Sequence, residues 1–561
     1  MNAMTPSGLQ ADRKGHPFAR EAAQRWTELK SARGSHEQDW EDIARFIRPQ
    51  RGGFVMDNPG DREMVKALSS EPIQANSNAA SGLYANLTNP ASRWFGLETP
   101  DADANKWQPM AVWNDQVTRR VFNSFRPDIS NFYPATLQAY ADITAFGNSA
   151  AYDEFDQVER RWRDVTLSLA EVVWDVDAWG RVWEWLRRFR LKPRAAVKLF
   201  RGRGELPAKI HELAEKGDST DLTFYHHITP NEDWRPGRIG RGSKPFRSIY
   251  AAETEMWLIS ERGYDEMPAY VPRWDVDSGQ TVGTGPGFIA LASARALHRM
   301  DEATIRAAQF AADPTMLAPS REDWPLNGHV RPGSTVYGGT NIRGDQMLRP
   351  LQTSGGIGLT IQEKQAKIEE IKNAFHYSVM SLSGRTGVTA EESLIMEEAR
   401  LREWAPHADR IMEEYAARKV ERRFRQLWRM GQLPPPPPGM EGVPLQVRYT
   451  SAAALAMRAR EGVAIMQFMN NIGALSQIDP RYAERTDPDG VAEALHDASL
   501  NLPGAIMRSR ESADQIAQAR AQAQQAQQAA ALAQQGAGAL KDAAGAAALL
   551  QGGGQPQGAG Q

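Results

Sequence analysis

Cysteine is absent from the 561-residue sequence, which excludes disulfides and thiolate metal sites. Long apolar runs are absent as well, since no stretch approaches the roughly 18 consecutive apolar residues of a membrane-spanning helix. The N-terminal segment MNAMTPSGLQADRKGHPFAR also lacks the apolar core of a secretory signal peptide. We therefore expect a soluble protein that folds inside a cell and has no membrane partner.

An excess of charge of either sign is missing too. The 66 Lys and Arg residues nearly balance the 69 Asp and Glu residues, which leaves a net charge of −3. Proteins that grip duplex DNA through its phosphates usually carry a basic face or a high isoelectric point. The composition therefore argues against tight DNA binding, although it is compatible with a protein along which DNA slides.

The sequence contains no signature of a nucleotide-binding or catalytic site. No Gly-rich loop ends in Gly-Lys-Ser/Thr, and no Gly-x-Ser-x-Gly elbow is present. The segment 283–287 (GTGPG) is similar to a dinucleotide loop, but Pro286 removes an amide donor that such a loop uses. We interpret this segment as a turn that leads into a helix, and we expect no cofactor.

Two pairs of residues could be drawn as metal or acid–base sites. His226 and His227 lie in a strand-like segment, where adjacent side chains point to opposite faces. Glu391 and Glu392 lie in the first turn of a predicted helix, where carboxylates interact favourably with the helix dipole. We therefore expect neither a metal site nor an enzyme.

Apolar periodicity predicts an α+β fold that is mainly α. Helices are expected where apolar residues recur three and four positions apart, at 17–50, 73–87, 104–125, 131–146, 195–216, 288–312, 360–380, 389–430, 452–472 and 491–500. An Ala/Gln-rich helix follows from 512 to about 535. Extended segments are expected at 93–97, 158–167, 171–177, 222–229 and 247–259. Pro406 predicts a kink in its helix.

Two of these helices flank a segment rich in Gly and Pro, residues 313–358. Thr360 is expected to be the N-cap of the second helix, which carries an apolar stripe. If the segment between them is a compact lobe, the two helices run side by side and antiparallel. An isolated hairpin would leave its stripe exposed, whereas packing against copies of the chain in a ring would bury it.

Three local motifs occur together around these elements. Residues 87–97 read LTNPASRWFGL, residues 271–279 read VPRWDVDSG and are followed by GTGPGF, and residues 387–392 read GVTAEE. In this combination the sequence resembles the head-to-tail connector (portal) family of short-tailed, podovirus-like phages, over residues 20 to about 500. One departure is that Val282-Gly-Thr stands where the family pattern has Tyr-Gly-Arg.

The resemblance implies a portal fold with wing, stem, clip and C-terminal crown or barrel regions, assembled as a ring of about twelve subunits. Residues 1–283 and 389–505 would form the wing, 284–312 and 359–380 the stem helices, and 313–358 the clip. Residues 381–388 would form a tunnel loop, 506–545 the crown or barrel helix, and 546–561 a disordered tail. The chain would be a virion component at one capsid vertex, assembled in the host cytoplasm.

The resemblance also implies a channel through which double-stranded DNA is packaged and ejected. Candidate channel residues are Lys364, Lys367 and Lys372 on the second stem helix, and Ser383, Gly384, Arg385 and Thr386 in the tunnel loop. Repeated around a ring, sparse cations would steer DNA through weak, screened contacts. The alternative is that the lysines are solvated or pair with Glu363, Glu369 or Glu370.

The clip is expected to contact the terminase large subunit during filling and the tail adaptor or tail proteins afterwards. Trp324, Val330 and Tyr337 are candidate contact residues, and the alternative is that they form the core of the clip itself. The ATPase of the motor would be a separate protein. Further partners implied by the family are the major capsid and scaffolding proteins.

Two other functions stay open on the sequence alone. One is another structural virion protein, a tail or scaffolding component without an axial channel. The other is a packaging or lysis enzyme, which would need a catalytic site that the motifs above do not supply.

Overall fold

The described part of the chain is a mixed α+β fold that is mainly helical, as the periodicity predicts. A computed structural model describes residues 13–55, 68–237, 239, 243–312, 316–317, 342–343, 345, 349–350, 357–376, 406–440, 442, 445–449, 452–477, 479, 481, 486–498, 512–513 and 515–529. The chain divides into two compact units. The first contains residues 1–94, 120–433 and 451–453, and the second contains 95–119, 434–450 and 454–561.

The helices and strands with both ends defined in the described part of the chain are numbered here in chain order. The helices are α1 Pro17–Ala32, α2 Gly34–Phe46, α3 Glu71–Leu87, α4 Ala102–Lys106, α5 Gln108–Asn123, α6 Phe132–Phe146, α7 Pro193–Phe200, α8 Ala208–Glu215, α9 Pro286–Ala312, α10 Ile357–Ala374, α11 Arg418–Arg429, α12 Ala452–Ser476 and α13 Pro488–Ala498. The strands are β1 Phe95–Glu98, β2 Ala150–Asp156, β3 Arg161–Leu167, β4 Val172–Val176, β5 Val182–Leu191, β6 Leu222–Pro230, β7 Phe246–Ala252, β8 Trp257–Tyr264, β9 Ala269–Tyr270, β10 Met316–Leu317, β11 Arg349–Pro350 and β12 Gln446–Tyr449.

A five-stranded antiparallel sheet in the order β4-β5-β6-β7-β8 organises the first unit. Successive residues of β5 enter different layers, because side chains alternate between the two faces of a strand. Trp185 joins the main core, whereas Leu186 on the opposite face packs against α1 through Trp26. Phe189 returns to the first face and packs in the cluster formed by α7 and α8.

The main core of the first unit joins this sheet to several helices. A three-stranded sheet, β3-β2-β9, lies beside α6. Trp40 of α2, Phe146 of α6 and Trp185 of β5 are all fully buried in one apolar cluster. Leu297 of α9 and Ile371 of α10 belong to the same cluster, so both helices are anchored in the core.

The second unit contains a two-stranded sheet and several helices. Strands β1 and β12 pair antiparallel, with Phe95 opposite Tyr449. Trp113 of α5 donates its indole N–H to the carbonyl oxygen of Pro434 at 3.0 Å. In α12 the side chains of Met466 and Phe468 are more than half exposed.

Several boundaries differ from the sequence predictions. The helix predicted over 17–50 is two helices, and so is the one predicted over 195–216. The strand predicted over 247–259 is the β7–β8 hairpin, joined by a 3₁₀ turn at Thr254–Met256. Thr360 is not an N-cap, because α10 already begins at Ile357 and Thr360 lies inside it.

Candidate functional site

The helical hairpin formed by α9 and α10 is the candidate functional element. Ser293 of α9 donates to a carboxylate oxygen of Glu370 at 2.6 Å, and further along Lys364 of α10 pairs with Asp301. Beyond the helices β10 pairs antiparallel with β11. From the first pair to the second, the residue number rises in α9 and falls in α10. The two helices therefore lie side by side and antiparallel, as predicted.

Burial changes along the hairpin. Leu297 and Phe375, near one end, are no more than 1% exposed and pack in the main core. Towards the other end Ile305, Phe310 and Ile361 are 46%, 55% and 60% exposed. Large apolar side chains exposed along one element are typical of a surface that a partner covers.

The candidate channel lysines Lys364 and Lys367 form ion pairs within the hairpin. Lys367 lies 2.8 Å from both carboxylate oxygens of Glu370, and hydrogen bonds from Lys367 and Ser293 hold the pKa of Glu370 below its usual value. This is one of the pairings that the sequence left open. Lys364 instead pairs with buried Asp301, a partner that the sequence did not indicate. Lys372, in the last turn of α10, is partly buried.

The other predicted site residues lie outside the described part of the chain. They are the tunnel-loop residues Ser383, Gly384, Arg385 and Thr386 and the clip residues Trp324, Val330 and Tyr337. The predicted acidic turn at Glu391 and Glu392 lies outside it as well. Their roles therefore stay predictions.

The VPRW motif is bound to the helix that follows residue 406. Arg273 forms an ion pair with Glu414, with 2.5 Å between Nη2 and Oε1. Trp274 stacks on His407, with ring centroids 4.8 Å apart. Glu414 lies in a π-helical turn, Met412–Ala417, and such turns are frequent at functional sites. Pro406 is the first described residue of this segment, so the kink expected there stays a prediction.

A cluster of buried charged residues joins α11, the helix that follows the π turn, to strand β3. The sequence did not predict this cluster. Lys419 lies 2.6 Å from Asp164 of β3, and Arg423 contacts the same carboxylate at 3.4 Å. All three side chains are at most 2% exposed. Burial raises the pKa of Asp164, but the two cations outweigh it and hold that pKa below its usual value. Nearby, Arg422 pairs with buried Asp153 in the same way.

The GTGPG segment is a turn that leads into α9, as predicted. Its glycines allow close backbone contact with the end of α6. A Cβ atom on Gly287 would lie 2.0 Å from the carbonyl oxygen of Ala145, and Gly147 adopts a φ of +70°. The glycines therefore fix the place where the hairpin leaves the core, which is a structural role.

The two histidines of β6 point to opposite faces, as predicted. His226 stacks on Tyr250 with ring centroids 3.9 Å apart, and its Nε2 lies 3.0 Å from the hydroxyl of Ser248. His227 is hydrogen-bonded to Glu184 at 2.8 Å instead. Within the described residues no group of three or more His, Asp or Glu side chains is placed to hold a metal ion, and no helix is long and apolar enough to cross a membrane.

Comparison with known proteins decides the family. Residues 19–505 match the family described as bacteriophage head to tail connecting protein. The chain belongs to this family. The connector is similar to the portal protein of Salmonella phage epsilon15, with 27% identity over 506 residues that cover 88% of this chain and 90% of that protein. It is also similar to the probable portal protein of Bordetella phage BPP-1, with 28% identity over 520 residues, 89% of this chain and 92% of that one.

The chain is thus a phage portal, or head-to-tail connector, protein: a structural component of the virion and not an enzyme. The sequence motifs that carried the resemblance now have physical roles in this connector. Arg273 and Trp274 of VPRW bind the helix after residue 406, and Gly287 of GTGPG fixes the root of α9. The signal that could have revealed the buried cluster is the run of cations Arg418, Lys419, Arg422 and Arg423 on a helix that also carries Val420 and Leu427.

Proposed function

We propose that about twelve copies of the connector form a closed ring at one capsid vertex, and that double-stranded DNA enters and leaves through its axial channel. The antiparallel hairpin of α9 and α10 carries this proposal. It is anchored in the core at one end and exposes apolar side chains along its length. A single chain leaves this surface in water, whereas neighbours in a ring would cover it.

In this proposal α9 and α10 are the stem helices, and residues 313–358, which include the first two residues of α10, form the clip. The tunnel loop, 381–388, reaches into the channel, the wing surrounds it, and the Ala/Gln-rich C-terminal helix forms the crown. The clip receives the terminase large subunit during packaging and tail proteins afterwards. Capsid and scaffolding proteins contact the outer part of the ring.

The charge of the hairpin favours the passage of DNA over tight binding of DNA. Lys364 and Lys367 have carboxylate partners within the hairpin, so their attraction for phosphate is reduced. A strong circle of free cations would add salt-dependent affinity and slow the DNA. Weak contacts let the duplex slide, which is what a conduit requires.

Electron microscopy of the purified protein tests the proposal. Closed rings of about twelve subunits, with a central hole wide enough for duplex DNA, are the expected result. Filaments, or closed particles without a hole, would instead favour a tail or scaffolding component. Cross-linking of assembled particles to the terminase large subunit through residues 313–358 tests the assignment of the clip.

A further inference from the structure

The outer face of α9 combines small and apolar residues with Arg299, a cation without an ion pair among the described residues. The side of α9 that carries Ala290, Leu297 and Asp301 is buried. About half a helical turn away, the exposed residues are Ala292, Arg299, Ala303, Arg306 and Phe310. Arg306 pairs with Glu302 on its own helix. Arg299 has no ion pair or hydrogen bond to any residue that the structure describes.

The outer face of α10 carries the opposite charge. Glu363 and Glu369 are exposed, and small Ala366 lies between them. Glu363 has no ion pair within the described residues, and Glu369 accepts a hydrogen bond only from neutral Gln365, at 3.2 Å. The nearby lysines do not neutralise these carboxylates, because they bind Asp301 and Glu370.

The charges of the two faces lie at matching positions along the axis of the hairpin. Lys364 pairs with Asp301 across the hairpin, so Arg299, two residues before Asp301, is level with Ala366. Glu363 and Glu369 lie three residues to either side of that level, about 4.5 Å along the helix axis. Copies related by a cyclic axis share the same height, so this match is kept between neighbours when the hairpin runs along the axis.

We propose that in the ring the outer face of α9 of one copy packs against the outer face of α10 of the next copy. Arg299 then lies between Glu363 and Glu369 of its neighbour. Ala292 and Ala303 let the helices approach closely, and Phe310 leaves water. The two faces are different surfaces of one chain, so the contact is heterologous, and such a contact forms a ring when the rotation between copies closes. This inference rests on the ring assembly proposed above.

Charge reversal in complementary variants tests the contact. Arg299→Glu places acidic side chains on both faces of one chain, and Glu363→Arg with Glu369→Arg places cations on both. Each variant alone should need at least about tenfold more protein to form rings, because like charges then meet at every interface. Sedimentation and electron microscopy give the ring fraction, and circular dichroism confirms the fold of each variant.

Mixing the two variants should restore assembly, because each face of one variant then meets a complementary face of the other. The triple variant should also form rings by itself, and high salt should reduce the defect of each separate variant. Arg190→Glu, at an exposed position of β5, is the control for net charge and should leave assembly unchanged.

Two sets of results would overturn the contact while leaving the ring proposal intact. In one, the wild type and both reversed variants form rings equally well. In the other, the folded variants fail alone and also fail when mixed. Absence of rings in the wild type at every concentration would instead contradict the proposed function itself.

Discussion

Arg273 and Glu414 lie 141 positions apart and are joined at three points. The Arg273 Nη2 donates to Oε1 at 2.5 Å, its Nε donates to Oε2 at 3.3 Å, and its backbone N–H donates to Oε2 at 2.9 Å. The Arg273 side chain is 6% exposed. One carboxylate therefore binds both the main chain and the side chain of the VPRW motif.

Removing this carboxylate charge should destabilise the first unit. Glu414→Gln leaves a buried guanidinium without its counter-ion, and we expect the free energy of unfolding to fall by roughly 3 kcal/mol. Chemical denaturation measures the change. Glu413→Gln alters the exposed neighbour and is the control, expected within about 0.5 kcal/mol of the wild type. Equal effects of the two variants would contradict the role of the pair.

The buried pair of Lys419 and Asp164 should be more sensitive still. Lys419→Met leaves Asp164 with Arg423 alone as its cation, at 3.4 Å, and the expected loss is about 3–5 kcal/mol. Arg425→Met, at a side chain that is 56% exposed, is the matched control on the same helix. A loss below about 1 kcal/mol in Lys419→Met would show that the pair contributes little.

Acid should destabilise the sheet through His226. Burial, assisted by Arg187 and His227, holds the pKa of His226 well below its usual value of about 6.5. Below that pH the unfolded chain binds a proton that the folded chain does not, so the free energy of unfolding falls as pH falls.

His226→Gln should remove up to about 1.4 kcal/mol per pH unit from the slope of stability against pH, between about pH 6.5 and the pKa of the folded state. Denaturation of wild type and variant at a series of pH values measures the difference. His211→Gln, at an exposed position of α8, should leave the slope nearly unchanged. An unaltered slope in His226→Gln would contradict the prediction.

Gly287→Ala should disturb the start of α9, where the hairpin leaves the core. The new Cβ would lie 2.0 Å from the carbonyl oxygen of Ala145, so α9 must move away from α6, at an expected cost of about 2–3 kcal/mol. Thermal unfolding measures the change. Gly473→Ala in α12 meets no atom within 4 Å and should instead stabilise by up to about 1 kcal/mol. A neutral effect of Gly287→Ala would show that the contact relaxes freely.

Arg385→Glu tests the tunnel loop. Because acidic side chains repel phosphate, we expect this change to impair DNA packaging while rings still form. The packaged DNA length in assembled particles, measured by gel electrophoresis, gives the result. Arg385→Lys keeps the positive charge and should package normally. Full-length DNA in Arg385→Glu particles would remove the proposed role.

The sequence predicted the helices and several strands because their signals are local. The apolar spacing in 71–87, 132–146 and 286–312 repeats within a few turns, so each helix was found to within a few residues. Chain breaks inside apparently periodic segments were harder to predict. The break between α1 and α2 falls at Arg33, directly before Gly34, and the apolar spacing on both sides made the segment read as one helix. Strand β5 was missed, although it is the second strand of the sheet.

By itself the sequence determined the fold class, the family and the antiparallel hairpin, because periodicity and short motifs need no knowledge of distant contacts. Only the tertiary structure decided which charges meet. Lys364 binds Asp301 across the hairpin rather than a neighbour on its own helix, and Lys419 binds Asp164 from a strand 255 positions away. Chain folding sets such pairs, since an ion pair depends on a few ångströms of separation and burial, which spacing along the chain does not specify.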